Sequence, residues 1–301
     1  MNPRTELRRS YTKPIIDGKT AGATAGLRHS IERLLSSGAE RQEADVEASL
    51  RHHPDLTRAN VIAVISPKGG VGKTTCAFVA GNLLADRLRL RTVVVDANPD
   101  YGTLAELAPE KLRREQSLDD VLTDLDRIHT AADLRRYMST LPTGLHLLAA
   151  PHDADLMARL NPESYGQLLA LLAVFYEAIL LDLGTGVAGP LAQFAIQQAD
   201  QMLLVSTPEW ITSTVVLAAL EHLQHEQTTV VANKFHARGP GDLDALEGRL
   251  RERRLHRSIA VPYDEQLAGM LDTATYELDA LRRPTRLALK RVGLALAEQF
   301  V

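Results

Sequence analysis

Runs of consecutive apolar residues, each ending in a polar or glycine-rich stretch, recur along the sequence from about residue 60 onward. Val61–Ile65, Val93–Val95 and Ile179–Leu181 are three such runs. A short apolar run without alternation is typical of a strand that is buried on both faces of a parallel sheet. Between the runs lie longer stretches of helical character, of which residues 163–174 are one. This pattern predicts an α/β fold: a doubly wound, mainly parallel sheet with helices on both faces.

The first 58 residues follow a different pattern. Up to about Ala25 they mix both charge signs with prolines and glycines, which is typical of an arm. Apolar residues then recur at helical spacing over 27–35, and residues 44–50 form a second short helical pattern. The sequence therefore predicts a helical N-terminal extension over residues 1–58 and a domain over 59–301. Two roles fit the extension: an arm that docks a partner, and a lid on the domain.

Composition narrows the class of protein. Of the 301 residues, 45% are hydrophobic and 24% are charged, which is ordinary for a globular protein with a sizeable core. The formal net charge of −4 argues against a globally basic nucleic-acid binder, although it leaves room for a local basic patch. Cys76 is the only cysteine, so internal disulfides and multi-cysteine iron–sulfur sites are excluded. We expect Cys76 to be a small buried residue.

The sequence predicts neither a targeting segment nor a transmembrane helix. The N-terminal residues lack the apolar core of a signal peptide. No stretch approaches the roughly 18 consecutive apolar residues that a transmembrane helix needs. We therefore expect a cytoplasmic protein.

One glycine-rich stretch carries most of the chemistry. Residues 66–75 read Ser-Pro-Lys-Gly-Gly-Val-Gly-Lys-Thr-Thr, between the run Val61–Ile65 and a helical pattern. Strand, glycine-rich turn and helix form the context of a phosphate-binding loop, whose backbone N–H groups surround the phosphates. In such a loop Lys73 reaches the β- and γ-phosphates and the Thr74 hydroxyl binds Mg²⁺. The predicted nucleotide-binding residues of the loop are Gly69, Gly70, Val71, Gly72, Lys73, Thr74 and Thr75.

Two further apolar runs each end in an acid. Asp96 follows Val93–Val95, and Asp182 follows Ile179–Leu181 with Gly184 two residues later. A carboxylate at the carboxyl end of a parallel strand faces the crevice where ligands bind in open α/β sheets. We expect Asp182 to receive Mg²⁺-bound water beside the loop, where the Thr74 hydroxyl also binds the metal.

The loop resembles the deviant phosphate loop of the MinD/ParA family of ATPases, which belong to the P-loop NTPases. The resemblance covers about residues 60 to 301. It implies that Lys68 reaches across a dimer to the phosphates on the partner subunit. It also assigns catalytic roles to Lys68, Lys73 and Asp96, with Asp96 near Mg²⁺ and the attacking water. Asn98 stands where the family commonly has a second acid, so either Asp96 or Asp100 acts as the base, or hydrolysis is slow.

The same resemblance implies a base-binding region. Asn233 ends an apolar strand and corresponds to the residue whose amide contacts adenine. An amide offers both a donor and an acceptor to a base edge, so the chemistry fits. A proline-containing loop of relatives packs over the adenine, and Pro262 and Tyr263 hold that position here.

The resemblance predicts a slow, partner-stimulated ATPase that uses ATP and Mg²⁺ and forms a homodimer in the ATP state. Its expected task is partition or spatial positioning of a cargo, with a protein activator or cargo adaptor. Alternatives are an accessory ATPase of a secretion system, a binding module with very slow hydrolysis and, less favoured, a metabolic enzyme of the same superfamily. Non-specific DNA is a possible surface through the arginines of 246–257, although a solvated helix face is favoured there. A membrane is less favoured, because the C-terminal amphipathic helix is expected to pack on the domain.

Overall fold

The computed structural model describes residues 38–54, 56–98, 102–151, 153, 156, 160–185, 189–220, 223, 225–236, 243–252 and 257–300. Within these ranges one eight-stranded sheet has the order β3-β4-β2-β5-β1-β6-β7-β8. The strands are β1 Asn60–Ser66, β2 Thr92–Ala97, β3 Ser139–Thr140, β4 His146–Leu148, β5 Ala178–Thr185, β6 Gln201–Ser206, β7 Thr228–Phe235 and β8 Ser258–Pro262. The predicted helical pattern over 27–35 and the candidate base Asp100 lie outside the described residues.

The sheet is parallel except at one edge, where the short β3 pairs antiparallel with β4. β1 lies at its centre, with β5 on one side and β6 on the other, both parallel to it. The chain therefore winds outward from β1 in both directions, which confirms the predicted doubly wound, mainly parallel fold. In such a sheet, ligands bind at the carboxyl ends of the strands where the winding direction changes.

Helices cover both faces of the sheet, as predicted. They are α1 Ala39–Ser49, α2 Lys73–Asp86, α3 Leu118–Thr123, α4 Ala131–Leu134, α5 Pro162–Phe175, α6 Pro190–Gln198, α7 Trp210–Leu220, α8 Leu243–Glu252, α9 Glu265–Asp272 and α10 Arg283–Ala297. Short 3₁₀ turns lie between them at Leu104–Leu107, Glu110–Leu112, Leu125–Arg127, Arg135–Tyr137 and Leu278–Ala280.

Two hydrophobic cores lie on opposite faces of the sheet. Successive residues of β1 alternate between them, with Ala63 and Ile65 in one core and Ile62 and Val64 in the other. Both sets are buried. This double burial is why the strands appear in the sequence as uninterrupted apolar runs. Cys76 is buried in the second core, as predicted.

α1 packs on the C-terminal helix α10 through charged side chains. Glu43 accepts hydrogen bonds from Arg286 and from Lys290, the latter at 3.1 Å. Glu47 pairs with Lys290 at 2.7 Å and with Arg87 at 3.2 Å. We call these five residues the ionic clasp. The helix begins five residues before the predicted 44–50. Its first turns are held by ion pairs, and a prediction from the spacing of apolar residues does not detect such a helix.

α10 lies against the body of the domain rather than apart from it. Leu287, Val292 and Leu296 are buried, and Lys290 is only 4% exposed. The C-terminal helix therefore packs as the sequence predicts. Among the helices described, none combines the length and the apolar character that crossing a membrane requires.

Candidate functional site

A glycine-rich loop over residues 67–72 joins the carboxyl end of β1 to α2, at the centre of the sheet. Gly70 and Gly72 have φ angles of 74° and 96°, in the left-handed region that glycine enters without strain. A Cβ atom at Gly72 would also lie 2.4 Å from Nδ2 of Asn233. Position 72 therefore requires glycine for two reasons, the backbone conformation and the lack of room for a side chain.

Lys73 and Thr74 begin α2, directly behind the loop. No described side chain caps this end of the helix, so its first backbone N–H groups are left for a ligand. A helix N-terminus of this kind attracts anions such as phosphate. Lys73 is only 9% exposed, and burial lowers the pKa of its ammonium, an effect that the charge of Asp182 opposes. The loop, the helix terminus and Lys73 thus converge on one anion-binding position.

Asp96 and Asp182 lie side by side at the ends of β2 and β5, where they are register partners. They are 1% and 2% exposed. Burial raises the pKa of Asp182 to about 7; the nearby charge of Asp96 adds to the rise, while a hydrogen bond from Thr74 and the charge of Lys73 oppose it. Burial also raises the pKa of Asp96, against hydrogen bonds from the N–H groups of Leu104 and Asn98. Two desolvated acids therefore face the helix terminus that carries Lys73.

The oxygen atoms around Asp182 suit a hard cation. The Thr74 hydroxyl donates to this carboxyl group, and the buried Oδ1 atom has no hydrogen-bond partner within the described residues. Mg²⁺ takes oxygen ligands, commonly one or two carboxylates together with water and substrate phosphates. Thr74, Asp96 and Asp182 offer that donor set. No group of three or more His, Cys, Asp or Glu residues suited to a metal occurs in the part of the chain described.

Backbone N–H groups of the segment after β2 hold the carboxylate of Asp96. The N–H of Leu104 donates to Oδ2 at 3.0 Å, and that of Asn98 donates to Oδ1 at 3.2 Å. Gly102 passes so close that a Cβ atom there would lie 2.1 Å from Oδ2 of Asp96. Asp96 therefore has a fixed orientation, set by residues that follow it in the sequence.

Lys68 stands apart from this group. Lys68 is exposed, and its Nζ atom donates a hydrogen bond to Oγ1 of Thr212 in α7 at 2.7 Å. Thr212 itself is buried. Within one chain Lys68 is thus directed to α7, and its role toward a partner subunit stays a prediction.

Two residues at the end of β7 hold the loop from the side. Asn233 donates from Nδ2 to the carbonyl of Val71 at 2.8 Å, and Lys234 donates from Nζ to the carbonyl of Gly70 at 2.7 Å. Asn233 is 5% exposed, so most of its side chain is committed to this contact. The contact of Asn233 with adenine stays a prediction, while its hydrogen bond to the loop is observed.

Pro262 and Tyr263 follow β8, next to the end of β7. Pro262 pairs with Phe235 in the sheet, and the Tyr263 N–H donates to the carbonyl of Phe235 at 2.8 Å. The Tyr263 ring stacks on His236 with their centroids 4.8 Å apart, and the residue is 40% exposed. This pair offers an exposed aromatic surface at the same edge of the sheet as Asn233.

Sequence reasoning missed Lys234, Thr212 and His236. Lys234 carries a signal, since it follows Asn233 at a strand end, where its φ of 57° turns the chain. Thr212 carries none, because it meets Lys68 across 144 residues of sequence.

Parallel sheet, phosphate loop and two strand-end acids together define a P-loop nucleoside triphosphatase. The model of a family described as the AAA domain matches residues 59–234. The chain is 26% identical to the ESX-1 secretion-associated protein EspI of Mycobacterium tuberculosis, over 91% of the chain but only 42% of EspI. It is 28% identical to the antiactivator FleN of Pseudomonas aeruginosa, over 77% of the chain and 84% of FleN.

A solved structure supports the fold. The ParA family ATPase of Chlorobium tepidum matches with a TM-score of 0.65 at 19% identity, over 77% of this chain and 96% of that one. Because the family model covers more than half of the chain, the chain belongs to the family of this AAA domain. Together with the likeness to FleN and the fold of a ParA family ATPase, this confirms the predicted MinD/ParA type of P-loop ATPase. It spans 42% of the length of EspI, so what EspI does as a whole protein is a separate question.

Proposed function

We propose that this chain is a switch that binds ATP with Mg²⁺, pairs with a second copy in that state and separates after hydrolysis. One observation carries the proposal: the loop, Lys73, Thr74 and the two buried acids converge at one edge of the sheet, with Oδ1 of Asp182 unpartnered within the described residues. A buried carboxylate oxygen without a partner is costly unless a ligand completes it.

The chain's own residues divide the work on the triphosphate. Backbone N–H groups of the loop and of α2 bind the phosphate oxygens, and Lys73 adds a positive charge. Thr74, Asp182 and Asp96 would hold Mg²⁺, which when bound neutralises charge on the phosphates. Asp96, fixed by Leu104 and Asn98, orients the attacking water. Catalysis of this kind is positioning and charge neutralisation.

Slow turnover follows from Asn98, the first residue after β2. Asn98 holds an amide where relatives commonly have an acid, and an amide cannot accept the proton of the attacking water. A slow intrinsic rate suits a switch, because a partner can then set the time of hydrolysis. We therefore propose that a protein activator or cargo adaptor accelerates the reaction.

Lys68 supplies the coupling between nucleotide and dimer. Its side chain is exposed one residue before the loop glycines, and in the single chain it is bound to Thr212. In the ATP dimer we propose that it leaves Thr212 and binds the phosphates held by the partner subunit. The contacts that ATP offers to Lys68 then exist only in the paired state, which is what makes ATP the signal.

The proposed cellular task is partition or positioning of a cargo in the cytoplasm. An accessory role in secretion is the second candidate, and the likeness to EspI favours it, because that likeness extends over 91% of the chain whereas the family model begins at residue 59. Non-specific DNA is less supported as a surface, since Arg249 and Arg251 of α8 hydrogen-bond to Thr214 and Glu247.

Sedimentation and phosphate release test the proposal together. The wild-type chain is expected to dimerise with ATP and Mg²⁺ but not with ADP. Lys73→Ala should lose nucleotide binding and dimerisation, whereas Lys68→Ala should bind ATP and lose turnover. Dimers that form equally with ADP, or unchanged turnover in Lys68→Ala, would contradict the switch.

A further inference from the structure

Two adjoining cavities lie on the α2 side of the sheet, at the end of α2 away from the loop. The larger, of about 430 Å³, is lined by charged residues, among them Asp86, Glu277 and Asp279. The smaller, of about 180 Å³, is lined mainly by apolar residues such as Phe78, Leu107 and Leu141. Tyr276 and Glu277 line both, so the cavities form one groove with an acidic part and an apolar part.

The acidic part is short of positive charge. Three carboxylates, those of Asp86, Glu277 and Asp279, line it, and Arg87 is the one cation among the lining residues. Outside the lining, the exposed Arg89 adds only a long pair with Asp86, at 3.9 Å. Arg87 is already shared, since it pairs with Asp86 at 3.1 Å, with Asp279 at 2.9 Å and with Glu47 of the ionic clasp. The groove therefore favours a cation.

Tyr276 adds an independent observation. Its ring is held edge-on by Phe78, with the centroids 6.2 Å apart. Its hydroxyl is buried and has no hydrogen-bond partner among the residues that the structure describes. A buried hydroxyl of this kind costs free energy until a ligand completes it, and its oxygen can accept a hydrogen bond from an ammonium group.

The chain itself carries a segment of matching chemistry. Residues 1–37 precede the first described residue and hold seven Lys and Arg against three Asp and Glu. Among them, Lys13 is followed by Pro14, Ile15 and Ile16, which places one cation beside two apolar side chains. The described chain starts close to the groove: Glu40 of α1 pairs with Arg283 at 3.0 Å, three residues after Ala280 of the groove wall.

We propose that the groove binds residues 13–16 of the same chain. The Lys13 ammonium lies among the carboxylates and against the Tyr276 hydroxyl, and an isoleucine side chain fills the apolar part. The link from Ile16 to Gly38 can extend to about 70 Å, so the reach is ample. Attachment to the same chain also gives the segment a high effective concentration at the groove.

Docking at this groove bears on the nucleotide site. Leu107 lines the apolar part and ends the 3₁₀ turn that Leu104 begins. The Leu104 N–H holds Oδ2 of Asp96 at 3.0 Å. An occupied groove therefore supports the turn that orients Asp96. The docking itself is independent of ATP hydrolysis, so it stands or falls separately from the proposed switch.

Photo-cross-linking in the full chain tests the docking. The photoreactive residue p-benzoyl-phenylalanine replaces Ile16, and the cross-linked peptides are identified by mass spectrometry at low protein concentration. We expect cross-links within one chain to the groove segments 78–87, 107–109, 141–143 or 274–280. The same residue in place of Thr5 is the position control and should give far fewer groove cross-links.

A charge variant tests the chemistry. Glu277 is exposed and lines both parts of the groove, so Glu277→Lys should lower the groove cross-link yield about fivefold at low salt. Glu226→Lys, an exposed site outside the groove, should leave the yield unchanged. Cross-links to other surfaces, cross-links only between chains, or an equal yield in Glu277→Lys would each overturn the proposal.

Discussion

The site and the ionic clasp both bury charge, and they do so in opposite ways. At the site, burial shifts the pKa of Asp182, Asp96 and Lys73 toward the neutral form in every case. In the clasp, hydrogen bonding between Glu43 and Arg286 lowers the pKa of the acid and raises that of the base. The same kinds of residue are thus destabilised as ions in one region and stabilised in the other.

The difference separates a binding function from a structural one. The charges of the clasp are completed within the chain, so the clasp fixes α1 and needs no ligand. The charges of the site are not neutralised within the chain. This lowers the stability of the folded protein until a ligand of matching charge binds. Substitutions should therefore separate the two regions: those in the clasp affect stability, and those in the site affect binding.

The largest expected effect is on ATP affinity. Lys73→Ala removes the buried positive charge behind the loop and should weaken ATP binding roughly a hundredfold or more, because a charge-assisted contact to phosphate is lost. Titration with a fluorescent ATP analogue measures this. Glu43→Ala is the matched control from the clasp and should keep wild-type affinity. A comparable loss there would show that the clasp, too, contributes to ATP binding.

The next effect is on stability. Glu43→Ala leaves Arg286 and Lys290 without their shared carboxylate and should lower the free energy of unfolding by about 2 kcal/mol. Glu40→Ala also removes an ion pair to α10, but the Glu40 side chain is 74% exposed, so its effect should be near zero. Urea denaturation decides between them. Equal effects would mean that burial of the clasp contributes nothing to the free energy of unfolding.

A smaller effect has the opposite sign. Asp182→Asn removes a buried charge and should raise the free energy of unfolding of the metal-free protein by about 1 kcal/mol at pH 8. The same variant should lose the dependence of ATP binding on Mg²⁺. Unfolding in the presence of a chelator, with ATP titrations in parallel, measures both. A destabilised Asp182→Asn protein would mean that this carboxylate is structural.

The last difference is one of pH dependence. Because the pKa of folded Asp182 is raised from 3.8 to about 7, its contribution to stability falls as pH rises between those values and then levels off. Glu43, whose folded pKa is lowered, stabilises above its ordinary value of 4.5 and loses that contribution as pH falls. With a chelator present, Asp182→Asn should therefore gain on the wild type as pH rises from 4 to 7. Glu43→Gln should approach the wild type only as pH drops below 4.5, and parallel profiles would refute the distinction.

The sequence predicts the site better than the clasp. The loop, Asp96 and Asp182 can be predicted because each motif is local: an apolar run, then a short polar pattern at its end. The clasp joins residues 247 positions apart, Glu43 and Lys290, and no local pattern marks such a pair. The contact of Lys68 with Thr212 and that of Lys234 with Gly70 are hidden for the same reason.

Asn233 has a second role that its position in the sequence does not indicate. Its place at a strand end predicts contact with a ligand, and that expectation comes from the motif. Its hydrogen bond to the carbonyl of Val71 depends on how β7 lies beside the loop, which only the assembled sheet reveals. The lack of room for a side chain at Gly72 also arises because β7 places Asn233 beside the loop.

A mixing experiment tests whether Lys68 acts across the dimer. Lys68→Ala keeps an intact Asp96, and Asp96→Ala keeps an intact Lys68, so each chain alone should be inactive as an ATPase. If Lys68 acts on the partner subunit, an equal mixture should recover activity, up to about a quarter of the wild-type rate, because fully random pairing makes one complete site in half of the dimers. A mixture that stays at the sum of its two inactive components would show that Lys68 does not act on the partner subunit.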